Sequence, residues 1–275
     1  MGTATATATA TATTLRTIQL TAMPTIRVTN TRTTTAMAPH PIEAPAGAAH
    51  SPRTLLQLMW LASPALPVGG FSYSEGLEAA VEAGMVQDEA SAAQWLLAQL
   101  QLVVGRAEWP AVARAHAAFQ AHDPSAVGAT NDWVLHTRES RELRLQAEQM
   151  GRSLAEWLMQ RHPQEPRVQC LRDLRPAPTW PVAFGLAGVL ANAELHDVLM
   201  AHGFSWAENQ VQAAIKCIPL GQSAGQRVLQ AISDAMPAAI QACLSRPPEQ
   251  AQAYAPGLAI HSARHEQQYS RLFRS

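Results

Sequence analysis

From Arg138 to Gln160 the chain reads RESRELRLQAEQMGRSLAEWLMQ. Leu143, Ala147, Met150, Leu154, Trp157 and Leu158 recur at steps of three and four, so they share one face of a helix and turn it toward a core. The other face carries Arg138/Glu142, Arg144/Glu148 and Glu148/Arg152 at i,i+4. Such pairs add a few tenths of a kcal/mol each and mark a solvated side. No run of useful length alternates with the period of a strand, and the class that follows is all-α.

Working outward, His162 to Pro181 contains Pro163, Pro166, Pro176 and Pro178 and reads as the main internal loop. Two helices are expected after it, Val182 to His202 and Ser205 to Cys217, joined at Gly203. A break at Ile218–Gly221 precedes a helix from Gln222 to about Ser245, bent at Pro237. Upstream, the spacing predicts helices from Thr54 to Ala62, from a Ser74 cap through Ala83 with Gly84 as stop, from an Asp88 cap to about Val104, and from Pro110 to His122, ended by Pro124. The expected architecture is a single-domain bundle of roughly eight to ten helices over residues 51–275, with 254–275 as a C-terminal binding segment.

Residues 1–50 are a different kind of sequence, a Thr/Ala repeat followed by Thr, Pro and Ala with Arg16, Arg27 and Arg32, and no acid before Glu43. So little apolar surface does not offset chain ordering, and a disordered extension is expected. It reads either as a dispensable tail, with Met23 or Met37 as alternative starts, or as an acid-poor targeting leader.

The 275 residues are 47% apolar with a formal charge of -1 and pI near 6.8. There is no net field for gripping a phosphate backbone, and nucleic acid is not an expected partner. The longest apolar stretch, about Trp180 to Ala193, is interrupted by Pro181, Gly185 and Gly188 and falls short of the roughly 20 residues of a membrane span. Cys170, Cys217 and Cys243 are odd in number and form no C-x-x-C pair, which fits a reducing cytoplasm.

The most distinctive passage is LASPALPVGGFSYSEGLE, Leu61 to Glu78. Gly69 and Gly70 allow positive φ or close backbone approach ahead of a helix, but no G-x-x-x-x-G-K-[ST] accompanies them, so no nucleotide site is expected. Glu75, Glu78 and Glu82 stand at i, i+3 and i+7 and would line one helix face, either as a solvated face or as an acidic dock for a basic partner. His261 and His265 are four apart, close enough to share a metal if the segment is helical. Ser262, His265 and Glu266 have the residue types of a hydrolytic triad, but neighbours on one segment are not expected to converge. The terminal run carries Leu258, Ile260, Tyr269, Leu272 and Phe273 among Arg264, Arg271 and Arg274. That mixture suits either a binding hot spot or a tail folded back on its own domain.

Five passages, taken in order, closely resemble the UreF family of urease accessory proteins. They are Leu61–Glu78, RESRELR at 138–144, PVAFG at 181–185, KCIPLGQ at 216–222, and the terminal ARHEQQYSRLF. The resemblance covers about residues 51–275. It implies an all-α homodimer without catalytic residues or an intrinsic cofactor. Such a dimer binds UreD (also called UreH) and the GTPase UreG on apo-urease, and nickel and GTP are handled through those partners. Carried onto this chain, the partner-facing candidates are Ser72, Tyr73, Glu75, Glu78 and Glu82; Arg138, Glu139, Glu142 and Arg144; Lys216 and Gln222; and Arg264, His265, Glu266, Tyr269, Arg271 and Phe273. The rival expectation is a helical metal-dependent enzyme or a nickel store using His261 and His265.

Overall fold

The structure is a computed structural model and describes residues 51–275; what was expected of residues 1–50 lies outside the described residues. The helices are α1 (Pro52–Ala62), α2 (Leu77–Glu82), α3 (Glu89–Gln99), α4 (Trp109–Gln120), α5 (Pro124–His136), α6 (Arg141–Arg161), α7 (Pro166–Arg172), α8 (Trp180–Leu190), α9 (Leu195–Cys217), α10 (Gln222–Leu244) and α11 (Pro256–His265). No strand is present among the described residues.

Local chemistry sets several of the boundaries. The Ser51 hydroxyl accepts from the Thr54 amide at 3.1 Å, and Asp88 accepts from the Ser91 amide at 2.8 Å, each satisfying an otherwise unpaired first-turn donor. Between α3 and α4 the chain stays helical through a nine-residue π-helical stretch, Leu100–Glu108. Pro110 explains it: the ring has no amide to give the Arg106 carbonyl four residues back. That carbonyl accepts instead from the Gln252 amide at 3.0 Å, and the Gly105 carbonyl accepts from Arg246 Nη1 at 3.2 Å.

The centre of the bundle is α8, buried from Trp180 through Val189 and packed between α4 and α6. Its Gly185 is required by the packing, since a Cβ there would sit 2.9 Å from Val112 O, His116 N and Ala115 Cβ. α9 crosses the same core against α1 and α10. A smaller apolar cluster, including Leu77, Val86, Ala213 and Ile218, forms where α2 meets α9.

Several expected boundaries shift, each for a physical reason. The helix expected from about Asp132 or Arg138 is two helices, α5 and α6, separated at 137–140, with Ser140 capping α6 through the Leu143 amide at 3.1 Å. Pro124 ends α4 as expected and also opens α5 in the first turn, where its missing amide costs nothing. The proline-rich loop contains α7, started by Pro166. Gly203 does not interrupt α9; a Cβ there would meet the Trp109 ring at 2.8 Å, so this glycine serves helix packing. The true break falls between α8 and α9, where Asn192 takes φ 51°.

His202 of α9 lies in this core, 1% exposed and ring-on-edge to Phe184 at 5.0 Å. Neither ring nitrogen has a partner among the described residues, and burial pushes its pKa down to about 4. The native state therefore releases a proton that the unfolded chain still binds below its ordinary value of 6.5. Stability is full above pH 6.5 and falls as the pH drops from there toward 4, by about 3 kcal/mol from this residue alone. In urea melts between pH 4 and 7.5, His202→Leu is expected to flatten that acid limb relative to the parent chain. An equally steep limb in the variant would assign it elsewhere.

Candidate functional site

The Leu61–Glu78 passage leaves α1 through two proline turns and reaches Gly69 at φ 75°. A single 3-10 turn follows, Gly70–Ser72. Here the expected helix does not begin: Ser74 is not the cap, and α2 starts at Leu77, after Glu75 at φ 52° and Gly76 at φ 76°. A side chain at Gly76 would meet both that strained angle and the backbone of α11, with Ser262 N only 3.2 Å from its Cβ. Two successive left-handed residues thus turn the chain so that α11 can lie directly against it.

Because the turn displaces Glu75 from the helix, the three glutamates do not share one face. The Glu75 carboxylate points inward, accepting from Gln146 Nε2 at 2.7 Å and Trp206 Nε1 at 2.9 Å. Burial pushes its pKa up, partly offset by these two bonds. Glu78 accepts from the Leu272 amide at 2.8 Å, the Phe273 amide at 3.0 Å and His265 Nε2 at 3.1 Å. Glu82 accepts from Gln268 Nε2. The acidic edge and the C-terminal segment, two separate candidates in the sequence, are therefore one site, each the other's partner.

His265 is the pivot of this site. It is 0% exposed, and its Nδ1 lies 2.7 Å from Glu142 Oε2 while its Nε2 faces Glu78. Both ring nitrogens therefore face a carboxylate oxygen within hydrogen-bond distance. Arg271 closes the cluster with Nη1 at 2.6 Å from the other Glu142 oxygen. Glu266 accepts from the Glu142 amide at 3.2 Å, and Ser262 pairs with the Ser140 cap at 2.6 Å. Beyond it, Phe273 is buried in the small apolar cluster with Lys216 Nζ 5.6 Å from its ring centroid. The Ser72 carbonyl accepts from the Arg274 amide at 2.8 Å, and Ser74 N donates to the Ser275 carbonyl at 2.8 Å.

The remaining candidates separate into inward and outward groups. Tyr73 is buried, its hydroxyl donating to Gln149 Oε1 at 2.6 Å, and burial raises its pKa. Arg138 pairs with Glu108 at 2.6 Å beside a cavity of about 60 Å³ that His202 and Glu75 also line. Glu139 is pushed up by partial burial and accepts from the Ala255 backbone. Arg144 is exposed and pairs with Glu148 at 3.3 Å. Gln222 and Arg264 are exposed, and Tyr269 is fully so. Phe71, absent from the candidates, is 60% exposed in the same loop; its position just after a glycine pair was the only available signal.

The metal expectation has a specific geometry to meet. His261 and His265 do share α11, but His261 Nε2 faces Met85 Sδ at 3.0 Å, its ring lies edge-on to Trp95, and His265 is held between carboxylates. No group of three or more His, Cys, Asp or Glu side chains among the described residues is arranged to hold a metal ion. The thiol of Cys217 is pushed up to about 12 and that of Cys243 to about 11, both by burial. No helix among the described residues is long and apolar enough to cross a membrane.

A family model described as UreF matches residues 86–233, the bundle between the Gly76 turn and α11. The urease accessory protein UreF of Methylibium petroleiphilum is 59% identical over 233 residues, covering 84% of this chain and 97% of that protein. The protein of the same name from Paracidovorax citrulli is 54% identical over 253 residues, 87% of this chain and 100% of its own length. That of a Polaromonas species is 51% identical over 222 residues, 81% and 95% respectively.

Glu78→Ala removes one acceptor from two backbone amides and the buried His265 ring. Loss of one partner from such a cluster costs about 3 kcal/mol. Amides in 258–273 are expected to exchange roughly a hundredfold faster in the variant, while those of α8 keep their protection. Unchanged exchange in that segment would mean that Glu78 does not hold it.

Proposed function

The chain belongs to the UreF family of urease accessory proteins, and from that premise we propose that it is a cytoplasmic homodimeric scaffold in GTP-dependent nickel insertion. In this reading it joins UreD (UreH) and the GTPase UreG on apo-urease. Its role is accessory to urease, not catalytic. Nickel is cargo handled with the partners, and GTP is bound and hydrolysed by UreG.

The observation that carries this reading is the outer surface of the docked terminal segment. The segment is tied to α2 and α6 through Glu78, Glu142 and Arg271 and buries Phe273. It nevertheless leaves Tyr269 fully exposed and Leu272 70% exposed, with Arg264 and the loop residue Phe71 also at the surface. A well-anchored backbone that displays tyrosine, leucine and arginine outward suits partner binding, because little ordering entropy remains to be lost on association. A scaffold of this kind controls a GTPase by binding one nucleotide state better. A preference of about 1–3 kcal/mol shifts the balance of states roughly 5- to 150-fold.

The test is co-expression of the chain with UreD and UreG, followed by size-exclusion chromatography with and without GTP. A ternary complex is expected, and Tyr269→Ala combined with Leu272→Ala is expected to lower UreG co-elution about tenfold or more. Because both side chains point to solvent, the thermal melt should stay unchanged. Full UreG retention by the double variant would overturn the assignment of this surface.

A further inference from the structure

On α1 the sides are reversed from those of a surface helix that packs only inward. Thr54, Leu58 and Leu61 are buried, yet Leu55, Leu56, Met59 and Trp60 are 49%, 65%, 61% and 45% exposed. These four stand at i, i+1, i+4 and i+5, so they form one continuous outward stripe. Together they present on the order of 400 Å² of apolar surface, the size at which a patch on a soluble protein is usually a contact site.

Two arginines stand beside the stripe. The Arg161 guanidinium lies over two indole rings, 4.2 Å from the Trp60 centroid and 4.7 Å from that of Trp157. The two rings meet edge-on at 5.5 Å. Arg53 is exposed at the start of the same helix, and it and Arg161 both depress the nearby His162. The acid facing this group, Glu165, is already taken by Arg167 at 2.6 Å. Neither Arg53 nor Arg161 has a carboxylate partner among the described residues. A guanidinium fixed on tryptophan beside an open apolar stripe combines the residue types that dominate binding energy at interfaces.

We propose that this face of α1 docks an amphipathic helix from a partner protein, whose apolar stripe is edged by aspartate or glutamate. The apolar stripe would pack along Leu56 and Met59, and a carboxylate would pair with Arg161 where the indoles exclude water. A second copy of this chain is the poorer occupant, because a two-fold contact sets the patch against itself and brings like cations together. The surface is separate from the docked terminal segment, so its assignment does not depend on the reading of that site.

The experiment titrates the full chain into two fluorescent 18-residue helical peptides with the same leucine stripe, one edged with glutamate and the other with lysine. The glutamate peptide should bind at least about tenfold more tightly, and Arg161→Glu should abolish or invert that preference. Met59→Glu should weaken both peptides, with an unchanged melting curve showing that the fold is retained. Equal affinity for the two peptides, no binding, or indifference to Arg161→Glu would overturn the proposal. Two further outcomes would also overturn it. One is a dimer by light scattering that Met59→Glu dissociates, which would give the face to a second copy. The other is binding to phosphatidylglycerol vesicles that Arg161→Glu abolishes without any peptide preference, which would give it to a lipid surface.

Discussion

The Glu78 carboxylate is where three parts of the chain are tied together. It projects from a six-residue helix too short to hold itself, and accepts from two consecutive backbone amides of the terminal segment and from a histidine of α11. A carboxylate this enclosed is tolerable only when its lone pairs are matched, and the amides and the His265 ring do so. The second carboxylate, Glu142, is held in turn by the same ring and by Arg271. Two carboxylates, a histidine and an arginine thus meet at the junction of α2, α6 and α11. The strained turn at Glu75 and Gly76 exists to bring α2 and α11 close enough for this exchange.

The sequence exposed the helical class because Leu143 to Leu158 repeats with an unbroken period, and because Asp88 and Gly84 are local signals whose effect does not need the rest of the chain. What it concealed depends on contacts distant in sequence. Gly203 looks like a helix breaker until Trp109 is placed against it. The π-helical stretch is tolerated because Arg246 and Gln252 take the carbonyls that Pro110 frees. For the site, period alone put Glu75, Glu78 and Glu82 on one exposed face. Two left-handed residues in succession cancelled that pattern, and one of them is a glutamate, which seldom takes such an angle.

The candidate residues were legible as a set but not as pairs. Charges on the Glu78 edge and on the Arg264–Phe273 segment were visible separately, and their mutual satisfaction was not, since almost two hundred residues separate Glu78 from Leu272. What stays exposed includes Tyr269, Leu272, Arg264 and Phe71, and separately the α1 stripe. A protein of the urease accessory class needs surfaces more than reactive groups.

The acidic edge binds the chain's own terminal segment, with His265 between Glu78 and Glu142. A double-mutant cycle on Glu78→Ala and His265→Ala, read by the exchange protection of the Leu272 and Phe273 amides, measures that coupling directly. An interaction energy of about 1–3 kcal/mol is expected, with the double variant little worse than either single one. Simple additivity of the two losses would contradict it.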